Sequence, residues 1–123
     1  MKTIAACILF LCSFELVSAQ KKDLVVRVAK LQIDSAQLES YKAALKEQIE
    51  MAIKVEPGVL NLYAVSDKKN PSHIMVFEIY ANDALYKAHL ETPHFKKYKS
   101  FTKTMVKSLE LIETIPIALG AKK

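Results

Sequence analysis

The chain has 123 residues, 51% of them apolar, and 18 Lys and Arg against 13 Asp and Glu give a formal net charge of +5. That length is one domain at most, small but within the range that folds alone. The basic excess sits largely in Lys96, Lys97, Lys99, Lys103 and Lys107, and positions 96, 99, 103 and 107 share one face of a predicted helix. With no aromatic residues interleaved there, it reads as a solvated face rather than a nucleic-acid surface.

Residues 1–19 have the pattern of an export leader. Lys2 is a short positive region, Ile4 to Leu11 an apolar one, and Val17-Ser18-Ala19 a small-residue cleavage site before Gln20. A membrane span would need about 20 apolar residues, and Ser13 and Glu15 interrupt this stretch. Ile4-Ala5-Ala6-Cys7 resembles a lipoprotein box but stands too early to leave room for an apolar region. Cys7 and Cys12 both leave with the leader, so the domain expected over residues 20–123 has no disulfide, thiol nucleophile or cysteine metal ligand. Lys2 and Glu15 leave together, so the net charge is unchanged. The expected destination is the periplasm or the exterior.

Residues 24–33 alternate and are rich in Val, which predicts a strand. Asp34 with Gln37 three residues on is a helix-start signal. Leu38, Tyr41, Leu45, Ile49, Ala52 and Ile53 recur at three and four as the inner stripe of a long helix, which Pro57-Gly58 stops. Residues 59–65 predict a second strand, Asp67 to Pro71 a turn, and residues 73–80 a third strand completing a hairpin. Asn82 or Asp83 caps a short helix carrying Ala84, Leu85 and Ala88. Thr92 caps the next, with Pro93 in the first turn where its missing N–H costs little. Phe95, Tyr98, Phe101 or Thr102, and Met105 form that helix's inner stripe, and residues 109–115 a last strand closed by Pro116. The order βαββαβ predicts an α+β, ferredoxin-like sandwich with the helices on one face of an antiparallel sheet. The first and third strands look apolar on both faces, which predicts a homodimer packed sheet against sheet.

Glu78 is an oddity on an apolar strand, costly to bury alone, and Arg27 on the first strand is its match; neighbouring strands predict an Arg27–Glu78 pair with a structural role. Asn61 and Tyr63 on the second strand are further candidates for polar contacts. The densest chemistry lies in His89 to Tyr98, around a helix break at Thr92-Pro93.

Glu56-Pro57-Gly58, the Asp67 to Pro71 turn, Phe77-Glu78-Ile79-Tyr80, and His89 followed by Thr92-Pro93-His94-Phe95 together resemble the antibiotic biosynthesis monooxygenase domain, most closely its quinol monooxygenase branch, over residues 25–116. The resemblance implies a dimeric α+β barrel that oxygenates phenolic or quinol substrates with O2 and without metal or flavin. It also implies an aromatic pocket wall at the end of the third strand, where this chain has Tyr80. A closed-shell substrate reacts with triplet oxygen only after becoming electron-rich, so such a site needs a base, a dry aromatic cavity and a group that holds the anion. His94, in a first helical turn whose dipole disfavours imidazolium, is the candidate base. His89 and Tyr80 are candidates for orienting the substrate, and Glu78, Asn61, Phe95, Tyr98 and Arg27 for binding it. The alternative is that both histidines only tie off helix ends, in a non-catalytic small-molecule-binding or stress-related protein.

A metal set of His89, His94 and Glu91 lacks the spacing of a helical histidine pair, so no metal is expected. Haem binding, as in degrading relatives of that domain, would need a histidine about ten residues beyond His89, where Lys99 stands. No cofactor is expected.

Overall fold

The computed structural model describes residues 23–123; the expected leader and its cleavage site lie outside the described residues. The elements run β1 (Val25–Ile33), α1 (Leu38–Val55), β2 (Val59–Ser66), β3 (His73–Tyr80), α2 (Asp83–Leu90), α3 (Pro93–Thr102) and β4 (Val106–Thr114). The sheet is antiparallel throughout, in the order β2-β3-β1-β4. This is the expected ferredoxin-like α+β fold.

Register decides which residues reach the site. Arg27 lies opposite Glu78, Ala29 opposite Val76 and Leu31 opposite Ile74. Cross-strand partners share a sheet face, so all six point the same way. Ala29, Leu31, Ile33, Ile74 and Val76 meet Tyr41 and Leu45 of α1 in one core cluster, while Ala52, Val59, Leu62 and Tyr80 form a second. Each large apolar side chain buried here contributes about 1.5–3 kcal/mol.

The expected stripe of α1 holds at Tyr41, Leu45 and Ala52, but Gln48 is buried between the last two and Ile53 is 48% exposed. Asp34 starts a 3-10 turn, Ser35–Gln37, rather than the α-helix itself; its carboxylate accepts from the Ala36 amide and the Gln37 side chain. The helix stops at Val55, before Pro57, as expected.

Gly58 then serves by size. A Cβ built there would stand 2.5 Å from the Leu85 Cβ, so the missing side chain lets the start of β2 press against α2. Asn82 caps α2 and Thr92 caps α3, their side chains accepting from the Leu85 and Phe95 amides. The two short helices stay packed around one break.

α3 ends earlier than its stripe suggested. Thr102 is buried and Phe101 exposed, and Met105 reaches the core from a turn in which its N–H donates to the Thr102 carbonyl. β4 therefore begins at Val106, and Lys107 belongs to a strand near Asp34 rather than to the basic helix face.

The other sheet face carries half-buried Val28, Phe77 and Ile79 and exposed Tyr63, Val65 and Met75. Lys30 and Gln32 share it, so β1 is apolar on both faces along only part of its length.

Candidate active site

Three elements converge at the break between α2 and α3. Glu56 is the C-cap residue of α1, His89 stands in the last turn of α2, and His94 follows Pro93 in the first turn of α3. His89 Nδ1 is 2.8 Å from Glu56 Oε2, and His94 Nε2 is 2.6 Å from the same oxygen. A carboxylate oxygen accepts, so each imidazole donates its N–H to it. In the neutral rings this places the lone pair on Nε2 of His89 and on Nδ1 of His94.

The two rings differ in access. His89 is 1% exposed, and its Nε2 has no hydrogen-bond partner among the described residues. The His94 side chain is 15% exposed and lines a groove of about 430 Å³ between α1 and α3, together with Gln48, Met51, Tyr98 and Phe101. Glu47 and Lys97 face each other on this groove, paired at 2.8 Å.

An aromatic wall surrounds the histidines. The His89 ring centre lies 5.3 Å from Tyr80 and 4.8 Å from Phe95, and Phe95 is 6.0 Å from Tyr98. The Tyr98 and Tyr41 hydroxyls meet at 2.6 Å. Burial pushes the ionisation of both phenols upward. Phe95, Tyr98, Tyr86, Glu78 and Gln48 also line an inner cavity of about 90 Å³ between helices and sheet. Gln48 and Tyr98 belong to both spaces and stand as the partition between them.

Tyr80 is fully buried and donates its hydroxyl to Glu78 Oε1 at 2.6 Å. Burial raises the Glu78 carboxyl above the usual carboxylate range, against the opposing influence of the Tyr80 hydrogen bond and the Arg27 charge. The expected Arg27–Glu78 ion pair is not formed among the described residues. Instead the Arg27 guanidinium lies 4.5 Å from the centre of the Tyr86 ring. The register aligns the two residues as expected, but each finds an aromatic neighbour first.

Asn61 falls outside this site. A bulge between Val59 and Asn61 puts it opposite Ile79, on the face away from the helices, whereas Tyr80 and Glu78 point toward them. Glu91 is also outside, exposed and paired with Lys96 at 2.8 Å. The carboxylate that joins the histidines is Glu56, with its oxygen and the two ring nitrogens all within 4.8 Å of one another, a set able to hold a metal ion. Its role was missed in the sequence, although the turn motif Glu56-Pro57-Gly58 marks the position. Tyr86, which takes Arg27, carried no comparable signal.

Residues 24–100 match a family model described as antibiotic biosynthesis monooxygenase. A protein from Bacteroides thetaiotaomicron, provisionally described as such a monooxygenase, is 50% identical at a TM-score of 0.80, covering 84% of this chain and 98% of that one. A protein from Lactobacillus acidophilus, provisionally described as a monooxygenase, is 31% identical at a TM-score of 0.75, covering 76% of this chain and 44% of that one. One from Nitrosomonas europaea has a TM-score of 0.72 at 18% identity over 76% of this chain and 90% of that one, which is a likeness of fold. No curated protein matches the sequence.

Proposed function

The chain belongs to the antibiotic biosynthesis monooxygenase family, and from that premise we propose that it oxidises a small quinol or phenol with O2 and without a metal or organic cofactor. The observation that carries this reading is the shared Glu56 oxygen. It fixes the tautomer of His94, the ring that lines the open groove, and leaves Nδ1 free to take a phenolic proton. The imidazolium so formed keeps its Nε2–H on the carboxylate, which offsets the new charge.

Loss of that proton makes the ring electron-rich enough to reduce oxygen. For a phenol with an unsubstituted ring carbon, one oxygen atom ends as a new carbonyl and the other leaves as water. Substrate plus O2 gives quinone plus water, and the substrate supplies every electron. In the groove Tyr98, Phe101 and Met51 form the apolar wall beside His94, while the inner residues act from behind it: His89 through the shared Glu56 oxygen, Tyr80 and Phe95 by packing on the His89 ring, and Glu78 and Arg27 from the sheet. Phenolic substrates suit such walls because aromatic faces attract one another at these spacings.

The test is oxygen uptake by metal-stripped protein with reduced naphthoquinones and simple phenols, using isotopically labelled O2. Label in the organic product, with water rather than peroxide as co-product, is the expected result. No uptake above background with any of these compounds would leave a binding protein as the better reading.

Two further parts of the proposal concern assembly and destination. The helix-free sheet face and β4 form a homodimer interface, supported by the exposed Tyr63, Val65 and Met75. A monomer by light scattering at micromolar concentration would overturn it. Residues 1–19 direct export, and N-terminal sequencing that found Met1 retained would remove that claim.

A further inference from the structure

We propose that Glu56, His89 and His94 form a divalent-cation site of the Zn2+ class, and that occupancy switches the site off. The second half rests on His94 being the base; the first does not. Two imidazole nitrogens and one carboxylate oxygen are the donor set that borderline cations such as Zn2+ prefer, with a fourth position left for water. The geometry points there because both rings address one oxygen instead of one each. The three donor directions therefore cross in a single small space.

The fit needs little movement. Bonds of about 2.0–2.1 Å in a tetrahedral shell put ligand atoms roughly 3.3 Å apart. The present contacts are 2.8 and 2.6 Å, with all three atoms inside 4.8 Å. Spreading the oxygen from the two nitrogens by roughly 0.5 and 0.7 Å would open the space, and the cation would replace the two N–H protons now held there, each ring carrying its proton on its other nitrogen instead. Glu56 and His94 side chains are 13% and 15% exposed, which gives a path inward, while His89 closes the back at 1%. The ligands come from three different elements, each held by its own cap, so the site does not depend on one flexible loop.

The two uses exclude each other on one oxygen. A bound cation takes the Glu56 oxygen and His94 Nε2, which leaves the ring proton on Nδ1, so that nitrogen no longer accepts a proton and the carboxylate no longer offsets an imidazolium. Chelation should thus leave oxygen uptake unchanged or raise it, and added Zn2+ should lower it.

Binding is tested first, by titrating metal-free full chain with Co2+ and following its visible absorption, and with Zn2+ by calorimetry. One ion per chain is expected, with the intense bands of four-coordinate Co2+. Second-shell partners alone are worth about 10–100-fold in affinity, so Glu56→Gln and His94→Ala should each weaken binding at least that much. His73→Ala, at an exposed histidine on β3, should leave it unchanged. Circular dichroism checks that the variants fold, and His94→Ala, at the more exposed ring, carries the test if Glu56→Gln does not. The site is overturned if wild type binds no stoichiometric ion, if both variants bind as wild type does, or if His73→Ala abolishes binding. The switch is overturned if Zn2+ binds and oxygen uptake is undiminished. Absent uptake under any condition counts against the oxygenase reading and leaves the absorption result standing.

Discussion

Glu56 Oε2 stands 2.6 Å from His94 Nε2 across 38 residues of sequence, and 2.8 Å from His89 Nδ1. One carboxylate oxygen thus sets the tautomer of both histidines, which makes the base assignment testable by ordinary substitution.

His94→Ala should lower the rate of quinol oxygenation by about 10²-fold or more, the scale of a lost general base. Tyr80→Phe should cost less, since the ring that packs against His89 survives. Thermal melting supplies the control. If His94→Ala lowers the melting temperature while keeping turnover per folded molecule, its role is structural.

Glu78 gives a prediction about stability and pH. Its carboxyl is raised in the fold, mainly by burial, so between the unfolded and folded values the native state holds a proton that the unfolded chain releases. Stability from this group is therefore greatest below the unfolded value and falls as pH rises through the folded one. Glu78→Gln keeps an acceptor for the Tyr80 hydroxyl and removes the ionisation. The variant should gain on wild type in melting temperature at pH 8 relative to pH 4, and a gap that does not change with pH would contradict this.

Tyr98→Phe should destabilise by about 1–3 kcal/mol, the cost of leaving a buried hydroxyl without its partner. The partner is Tyr41, fully buried at 2.6 Å. Removing both hydroxyls should restore part of the loss, because no orphan then remains. Urea unfolding of the two single variants and the double measures it, and strict additivity would argue against the shared bond.

Gly58→Ala should cost about 1–3 kcal/mol by overpacking. The added Cβ would meet Leu85 at its Cβ, 2.5 Å away, as well as at Cγ and Cδ1. Leu85→Ala keeps that Cβ and should not rescue the variant. Full rescue in the double variant would place the conflict in the outer side chain instead.

Much of the scaffold was legible because local rules decide it. The end of α1 before Pro57, the caps at Asn82 and Thr92, and the span of β3 each follow from residues within a turn of the feature. The start of β4 was misjudged because a buried residue at helical spacing, Met105, sits in a turn and not in the helix. Periodicity reports that a side chain faces the core without reporting what backbone carries it.

The candidate site divides the same way. His89 and His94 stand out in sequence because the break at Pro93 sets both at helix ends, and Tyr80, Glu78 and Phe95 follow from strand and helix period. Pairing is another matter. Glu56 rather than Glu91 joins the histidines, and Arg27 and Glu78, aligned in register, turn to Tyr86 and Tyr80. The sequence by itself determined the elements, their order and the facing of the β1 and β3 residues, because backbone sterics and hydrophobic period act over a few residues. Only the tertiary structure decided which polar groups meet, because a buried charge takes whichever partner the packed helices bring within about 3 Å, and sequence separation has no part in that choice.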